Sequence, residues 1–219
     1  MPLNYISHKE NQALNAILAE GLNNGALALS EMLNKNIQIK TPDTKVIKLR
    51  DLPNLLGGAE IIVTGIFLRF QEGLNLNAFD ISTGISGSIL ILFSVDKAFE
   101  ITSILLSSVD YTPAIDPKMI FESALGEVGN ITGSAVLNTI SDKLKIPINP
   151  SPPAVVTDMA GSLLESVAAT SLIEDNEIIL IDTCFINESR EIKGHFILLP
   201  DSKESILEIL NKLGAANND

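Results

Sequence analysis

Three polar residues with helical spacing, followed by a distant proline, are the part of this sequence best suited to chemistry. Ser123, Glu127 and Asn130 follow the spacing Ser-x3-Glu-x2-Asn, and Pro153 comes after twenty-two intervening residues. At 3.6 residues per turn, the three polar side chains project from one face of a helix. One carboxylate and one amide, with no neighbouring histidine or cysteine, can bind and orient a reactant. They are poorly suited to forming a covalent intermediate.

The same segment contains three glycines, Gly126, Gly129 and Gly133, inside an otherwise helical pattern. Interior glycines destabilise a helix by roughly 0.5–1 kcal/mol each relative to alanine, so they call for a reason. One reason is close packing of the helix against a sheet. The other is that a missing Cβ lets the backbone of a partner approach the polar face. The spacing does not choose between the two.

The composition predicts a folded, acidic protein. The 219 residues are 46% apolar, and 15 basic against 27 acidic residues give a net charge of −12. This charge disfavours nucleic acid and anionic lipid as partners and suits a partner that presents Lys or Arg. The N-terminus lacks the apolar core of a signal peptide, and no run of about 18 apolar residues occurs. With Cys184 as the single cysteine, we expect a cytoplasmic protein without membrane insertion.

The sequence pattern of the elements that would position the polar residues occurs twice along the chain. Residues 88–106 and 195–213 each fit an apolar strand, a turn with a serine suited to cap a helix, and an amphipathic helix. Upstream, a shift of 111 residues aligns the two halves, with Pro42 opposite Pro153. We therefore expect one domain over residues 1–219, built from two repeats at about 1–107 and 116–219.

Each repeat has the same expected plan. A long helix opens it, at about 8–34 with a capping box of Ser7 and Glu10, and at about 117–145 with Asp116 as the cap. A shorter helix closes each copy. The predicted strands are 36–41, 45–49, 59–71 and 86–93, then 146–149, 154–157, 172–187 and 192–199. Since neither repeat alone could cover both faces of its sheet, the expected fold is α/β (α+β), a pseudo-two-fold domain with a β-sheet core, two long helices and shorter closing helices.

The polar motif also resembles that of a known family. The stretch Ser123-Ala-Leu-Gly-Glu127-Val-Gly-Asn130, with Pro153 at the expected distance, resembles the CheC/CheX/FliY family of chemotaxis phosphatases. The duplicated plan resembles the CheC members, and the resemblance covers nearly the whole chain. It implies an enzyme that removes the phosphoryl group from the aspartate of a CheY-type response regulator.

The resemblance implies a role for each motif residue. Asn130 would orient a water in line with the acyl phosphate, and Glu127 would pair with a lysine of the regulator. Ser123 would be a supporting group and Pro153 would shape the adjoining surface. No cofactor or metal site of its own is expected, because the Mg²⁺ would belong to the regulator. The family also implies a CheD-type receptor deamidase as a second partner, and the internal duplication favours a monomer.

The first copy departs from the motif. With Pro42 opposite Pro153, the three polar positions hold Gln12, Ala16 and Ala19. Alanine has neither a charge nor an amide, so this alignment predicts an inactive first site.

A rival alignment lies one helical turn later and offers Glu20 and Asn23 as the Glu-x2-Asn pair. It places Ala16 at the serine position and Val46 at the proline position, so only half of the motif is kept. It would give the first copy a weak site.

Two other functions stay open from the sequence. One is a non-catalytic adaptor that binds a response regulator or a CheD-type deamidase. The other is a structural component of the flagellar motor, which is disfavoured because nothing in the chain resembles the flagellar switch domain.

Overall fold

The computed structural model describes residues 8–40, 44–73, 84–107, 116–169, 177–188 and 190–216. The helices in these ranges are α1 (His8–Leu33), α2 (Leu52–Leu56), α3 (Val95–Leu106), α4 (Pro117–Leu144), α5 (Ala160–Ala168) and α6 (Lys203–Ala216), and a 3-10 turn spans Leu49–Asp51. The strands are β1 (Ile37–Lys40), β2 (Lys45–Lys48), β3 (Ile62–Glu72), β4 (Ser86–Ser94), β5 (Ile148–Pro150), β6 (Ala154–Met159), β7 (Glu177–Asn187) and β8 (Arg190–Pro200). No helix in the described ranges is long and apolar enough to cross a membrane.

The strands form one antiparallel sheet in the order β1-β7-β8-β4-β3-β5. The short strands β1 and β2 both pair with β7 at one end, and β5 and β6 both pair with β3 at the other. Apolar side chains of α1, α3, α4 and α6 cover one face, while α5 and the segment of the 3-10 turn and α2 cover the other. The predicted α/β (α+β) fold with two long helices on a sheet core is confirmed.

The contacts at the crossing of α1 and α4 form a matched pair. A Cβ added to Gly21 would lie 2.7 Å from the Cα of Val136, and a Cβ added to Gly25 would lie 3.1 Å from the Cα of Thr132. The shift of 111 residues exchanges these two contacts. The same shift relates the ends of the helices, where Asn34 and Lys145 are both left-handed. The two long helices therefore contact each other through equivalent positions, as the predicted pseudo-two-fold arrangement requires.

Most element boundaries agree with the sequence expectations. The Asp116 carboxylate accepts a hydrogen bond from the backbone N–H of Lys118 at 2.9 Å, and Pro117 begins α4, as predicted. The strand predicted from residue 59 begins instead at Ile62, because residues 52–56 form α2 and Gly57 ends that helix with a φ of 106°.

The order of elements in residues 8–106 recurs in residues 117–216: a long helix, two short strands, a short helix, two long strands and a closing helix. This order favours the division into two repeats, which stays a prediction. The short helices α2 and α5 were not predicted. Ser7, Pro42 and residues 108–115 lie outside the described ranges.

Candidate active site

The predicted polar residues project from the exposed face of α4. Ser123, Glu127 and Asn130 are all exposed, whereas Leu125 and Val128 on the opposite face are fully buried against the sheet. The burial of Leu125 and Val128 thus fixes the rotation of this part of the helix and turns the polar residues outward. The three polar residues line one open cleft together with Glu122, Gly126, Pro150, Ser151, Pro152, Pro153 and Val155. The structure therefore brings the distant proline to the polar face, as the motif predicted.

The wall of the cleft opposite α4 is a bulge in the edge of the sheet. Pro150 in β5 lies opposite Phe70 in β3, and Ala154 in β6 lies opposite Phe67. The four residue intervals from Pro150 to Ala154 therefore lie opposite the three intervals from Phe70 to Phe67, so the edge strand contains one extra residue. An extra residue bends a strand locally and lifts it out of the ladder.

Ser151 holds this bulge in place. Its backbone N–H donates to the carbonyl of Arg69 at 2.7 Å, and its hydroxyl accepts from the backbone N–H of Arg69 at 3.0 Å. Pro152 and Pro153 have no N–H to pair, so they can leave the ladder without an unsatisfied donor. Pro153 then lies beside α4, where a Cβ added to Gly126 would be 3.7 Å from its Cγ.

The three glycines of α4 have different surroundings. A Cβ added to Gly129 would lie 2.3 Å from the Cγ2 of Ile66, and one added to Gly133 would lie 3.1 Å from a methyl of Leu68. Both glycines let α4 pack closely against β3. Gly126 has no such close contact and lines the cleft instead. Close packing therefore explains Gly129 and Gly133 but does not explain Gly126.

The polar groups of the cleft are free to meet a partner. Within the described residues, the side chains of Glu127 and Asn130 make no hydrogen bond or ion pair, whereas Glu122 forms an ion pair with Lys118 at 3.7 Å. Of the described residues that line the cleft, two are carboxylates and none is basic. The cleft is therefore suited to a partner that brings a cation and a group able to hydrogen-bond with an amide. The described ranges contain no group of three or more His, Cys, Asp or Glu residues that could hold a metal ion.

The equivalent position in the first copy is filled. The Oδ1 of Asn15 accepts from the backbone N–H of Thr44 at 3.1 Å and also from the Thr44 hydroxyl, which lies 3.3 Å from the Oδ1 of Asn11. Under the shift of 111 residues, Asn15 corresponds to Gly126 and Thr44 to Val155. A side chain thus occupies the place that Gly126 leaves open in the second copy. Sequence reasoning missed this pair, although an asparagine at the position of Gly126 was a visible signal.

The other first-copy positions lie on the outer side of α1. Gln12 and Ala16 are exposed and Ala19 is half-buried, while Pro42 lies outside the described residues. Glu20, which the rival alignment uses, forms an ion pair with Lys143 at 3.1 Å. The paired helix ends and the crossing of α1 and α4 follow the shift of 111 residues, which favours the alignment that puts alanine at the Glu and Asn positions.

The motif segment matches a family model. The model of the CheC-like family matches residues 120–157, which run from α4 to β6 and contain all four motif residues. The fold and the cleft thus agree with the resemblance to the CheC/CheX/FliY family that the sequence predicted, and that resemblance is confirmed.

Individual relatives extend the similarity to the whole chain. The sequence is 27% identical to the CheY-P phosphatase CheC of Bacillus subtilis (strain 168), over 97% of this chain and 98% of that protein. The fold is similar to that of FliY from Thermotoga maritima, with a TM-score of 0.73 and 16% identity over 96% of this chain and 98% of that one. It is also similar to the middle domain of FliM from Vibrio alginolyticus, with a TM-score of 0.61 and 12% identity over 92% of this chain and 99% of that one.

Proposed function

We propose that this protein is a cytoplasmic phosphatase that hydrolyses the phospho-aspartate of a CheY-type response regulator in chemotaxis signalling. The observation that carries the proposal is the cleft that Glu127 and Asn130 share with Pro153, where neither polar side chain has a partner among the described residues. The relative from Bacillus subtilis, named as a CheY-P phosphatase, supports the same activity. The fold by itself does not choose this function, because the middle domain of FliM shares it.

In the proposed reaction, Asn130 enters the active site of the regulator and its amide orients a water molecule. The water oxygen attacks the phosphorus in line with the bond to the aspartate. That bond breaks, the aspartate leaves as a carboxylate, and the two water protons stay with the inorganic phosphate as H2PO4−. An amide neither takes nor supplies a proton here, so its contribution is positioning and electrostatic stabilisation.

Glu127 would fix the regulator in place by pairing with one of its lysines. The cleft carries a second carboxylate, Glu122, and the chain has a net charge of −12, so a basic partner surface is attracted over the whole approach. We expect the Mg²⁺ to be held by the regulator. Ser123 and Pro153 would shape the two sides of the cleft around the reacting groups.

The test is phosphate release from a Mg²⁺-loaded, phosphorylated CheY-type regulator of the same organism. We expect the wild-type protein to accelerate release and Asn130→Ala to lose on the order of 10²–10³ in rate while binding is nearly unchanged. Asn138→Ala is the matched control, because Asn138 is an exposed asparagine further along the same helix. Unchanged turnover in Asn130→Ala would refute the proposed role of the amide.

A charge-conserving comparison separates docking from turnover. Glu127→Gln should weaken binding of the regulator, more so at low salt, because it removes one charged pair. Glu165→Gln makes the same change of charge on α5, at an exposed position on the other face of the sheet. Binding without any acceleration by the wild-type protein would instead favour an adaptor that docks a regulator or a CheD-type deamidase.

A further inference from the structure

Gly126 is an interior helix glycine that no close packing requires. The neighbouring Gly129 would put a new Cβ 2.3 Å from Ile66, so a side chain there is excluded. A Cβ on Gly126 would meet only Pro153 at 3.7 Å and Val155 at 4.0 Å, which are ordinary contacts. Since glycine destabilises a helix interior relative to alanine, its presence at 126 is unexplained by the packing of this chain alone.

The position of Gly126 places it within the polar face. It lies three residues after Ser123 and four residues before Asn130, so all three share one side of α4. It also faces Pro153 across the cleft. A side chain at 126 would therefore project between the reactive amide and the proline bulge, into the space that a partner must enter.

The first copy shows what a side chain does at this position. Asn15 replaces the glycine and its Oδ1 accepts from both the N–H and the hydroxyl of Thr44. Thr44 is buried, at 9% exposure, and it corresponds to Val155 in the wall of the cleft. The helix and the edge of the sheet are thus joined across the gap that stays open beside Gly126.

We propose that the gap at Gly126 is a slot that admits the phosphorylated face of the regulator, and that Asn15 closes the matching slot of the first copy. This inference rests on the proposed phosphatase function and adds a determinant of access to it. It follows that the first copy is blocked twice, by the loss of its Glu and Asn side chains and by a filled slot.

The direct test places side chains at 126 and measures regulator binding and turnover separately. Gly126→Asn copies the first-copy residue, and Gly126→Ala adds one methyl group with no clash inside this chain. We expect Gly126→Ala to melt at or above the wild-type temperature. For both variants we expect KM for the phosphorylated regulator to rise roughly tenfold or more, because the added atoms overpack the interface, while kcat at saturation changes less.

Binding is measured in the Asn130→Ala background, where we expect turnover to be slower by a factor on the order of 10²–10³. Asn130→Ala and Asn130→Ala/Gly126→Asn are titrated with the Mg²⁺-loaded regulator phosphorylated by acetyl phosphate. Weaker binding by the double variant than by Asn130→Ala supports the slot, even when the wild-type protein shows no turnover. An absence of turnover in the wild-type protein would by itself overturn only the phosphatase proposal. Equal Kd values overturn the slot. A wild-type protein that neither binds nor acts on the regulator overturns both.

The reverse experiment removes the side chain that fills the slot of the first copy. In the Asn130→Ala background, Ala16→Glu and Ala19→Asn restore the missing polar pair, and Asn15→Gly is then added. We expect phosphatase activity to appear at least tenfold more strongly when Asn15→Gly is present. Melting temperatures show which variants are folded. Equal activity with and without Asn15→Gly in two folded variants would overturn the closure of the first copy.

Discussion

Replacing Gly129 by alanine should damage both the stability of the protein and the placement of Asn130. The new Cβ would lie 2.3 Å from the Cγ2 of Ile66, and ordinary contacts begin near 3.4 Å, so α4 and β3 must separate by about 1 Å. Overpacking a core in this way costs about 1–3 kcal/mol, against a gain of roughly 0.5–1 kcal/mol in helix propensity. We expect a net loss of about 1–2 kcal/mol, seen as a fall in Tm of roughly 2–8 °C.

The same displacement of α4 should also lower the rate of the proposed reaction. Gly129 precedes Asn130 directly, and Ile66 is fully buried and cannot move aside freely. A shift of about 1 Å in a positioning group can lower a rate on the order of 10²-fold. We therefore expect Gly129→Ala to lower kcat for phosphate release, whereas Gly126→Ala, with its nearest contact at 3.7 Å, should leave the helix in place.

A double-mutant cycle isolates the clash. Ile66→Ala removes the methyl group that the new Cβ would meet, so Gly129→Ala should cost little in that background. The double variant should therefore lose about 1–2 kcal/mol less free energy of unfolding than the sum of the two single variants. Ile66→Val keeps the Cγ2 methyl and should show little such coupling. Free energies of unfolding in urea provide the measurement. A Gly129→Ala variant as stable as the wild type would refute the close packing of α4 on β3.

Two further predictions concern ion pairs whose residues do not line the cleft. The side chain of Asp201 is 1% exposed and accepts two hydrogen bonds of 2.6 Å from Arg69, so Asp201→Ala should lower the free energy of unfolding by about 3 kcal/mol. The double variant Arg69→Met/Asp201→Ala should recover much of this loss, because no buried charge is left without a partner. An equal loss in the single and the double variant would contradict this prediction. Burial alone would raise the pKa of Asp182, but hydrogen bonds from Lys45 and His195 outweigh it and hold that pKa below its ordinary value. Stability from this lowered pKa is present above the pKa of the unfolded chain and is lost as pH falls through the folded value, so Asp182→Asn should flatten the acid side of a stability–pH curve.

The long elements and the helix starts could be predicted because their signals are local. The pair Asp116 and Pro117 defines the first turn of α4 without reference to the rest of the chain, because the aspartate caps the helix and proline suits its first position. The motif spacing likewise placed Ser123, Glu127 and Asn130 in one cleft, since a helix fixes the direction of its side chains.

Two of the features that were missed depend on contacts between distant segments, whereas α5 carried a local signal. Its buried residues Ala160, Leu163, Leu164 and Val167 follow the i, i+3, i+4, i+7 spacing of an amphipathic helix, and they pack on the second face of the sheet. The bulge at Ser151 exists because β5 and β6 pair with the same strand at registers that differ by one residue. The Asn15–Thr44 bond joins residues 29 positions apart, so a motif search confined to the polar positions could not find it.

The N-terminal long helix α1 contributes to the cleft through its packing on α4. The helix that carries Asn130 packs on the sheet through one side and on α1 through another, and the crossing depends on Gly21 and Gly25 meeting Val136 and Thr132. Removing or distorting α1 would leave this side of α4 exposed and free to rotate. Because close-packed interfaces transmit displacements and do not absorb them, the polar face of α4 would then lose its position opposite the proline bulge. The packing of α1 on α4 therefore accounts for a long helix at this place whether or not α1 carries a reactive site.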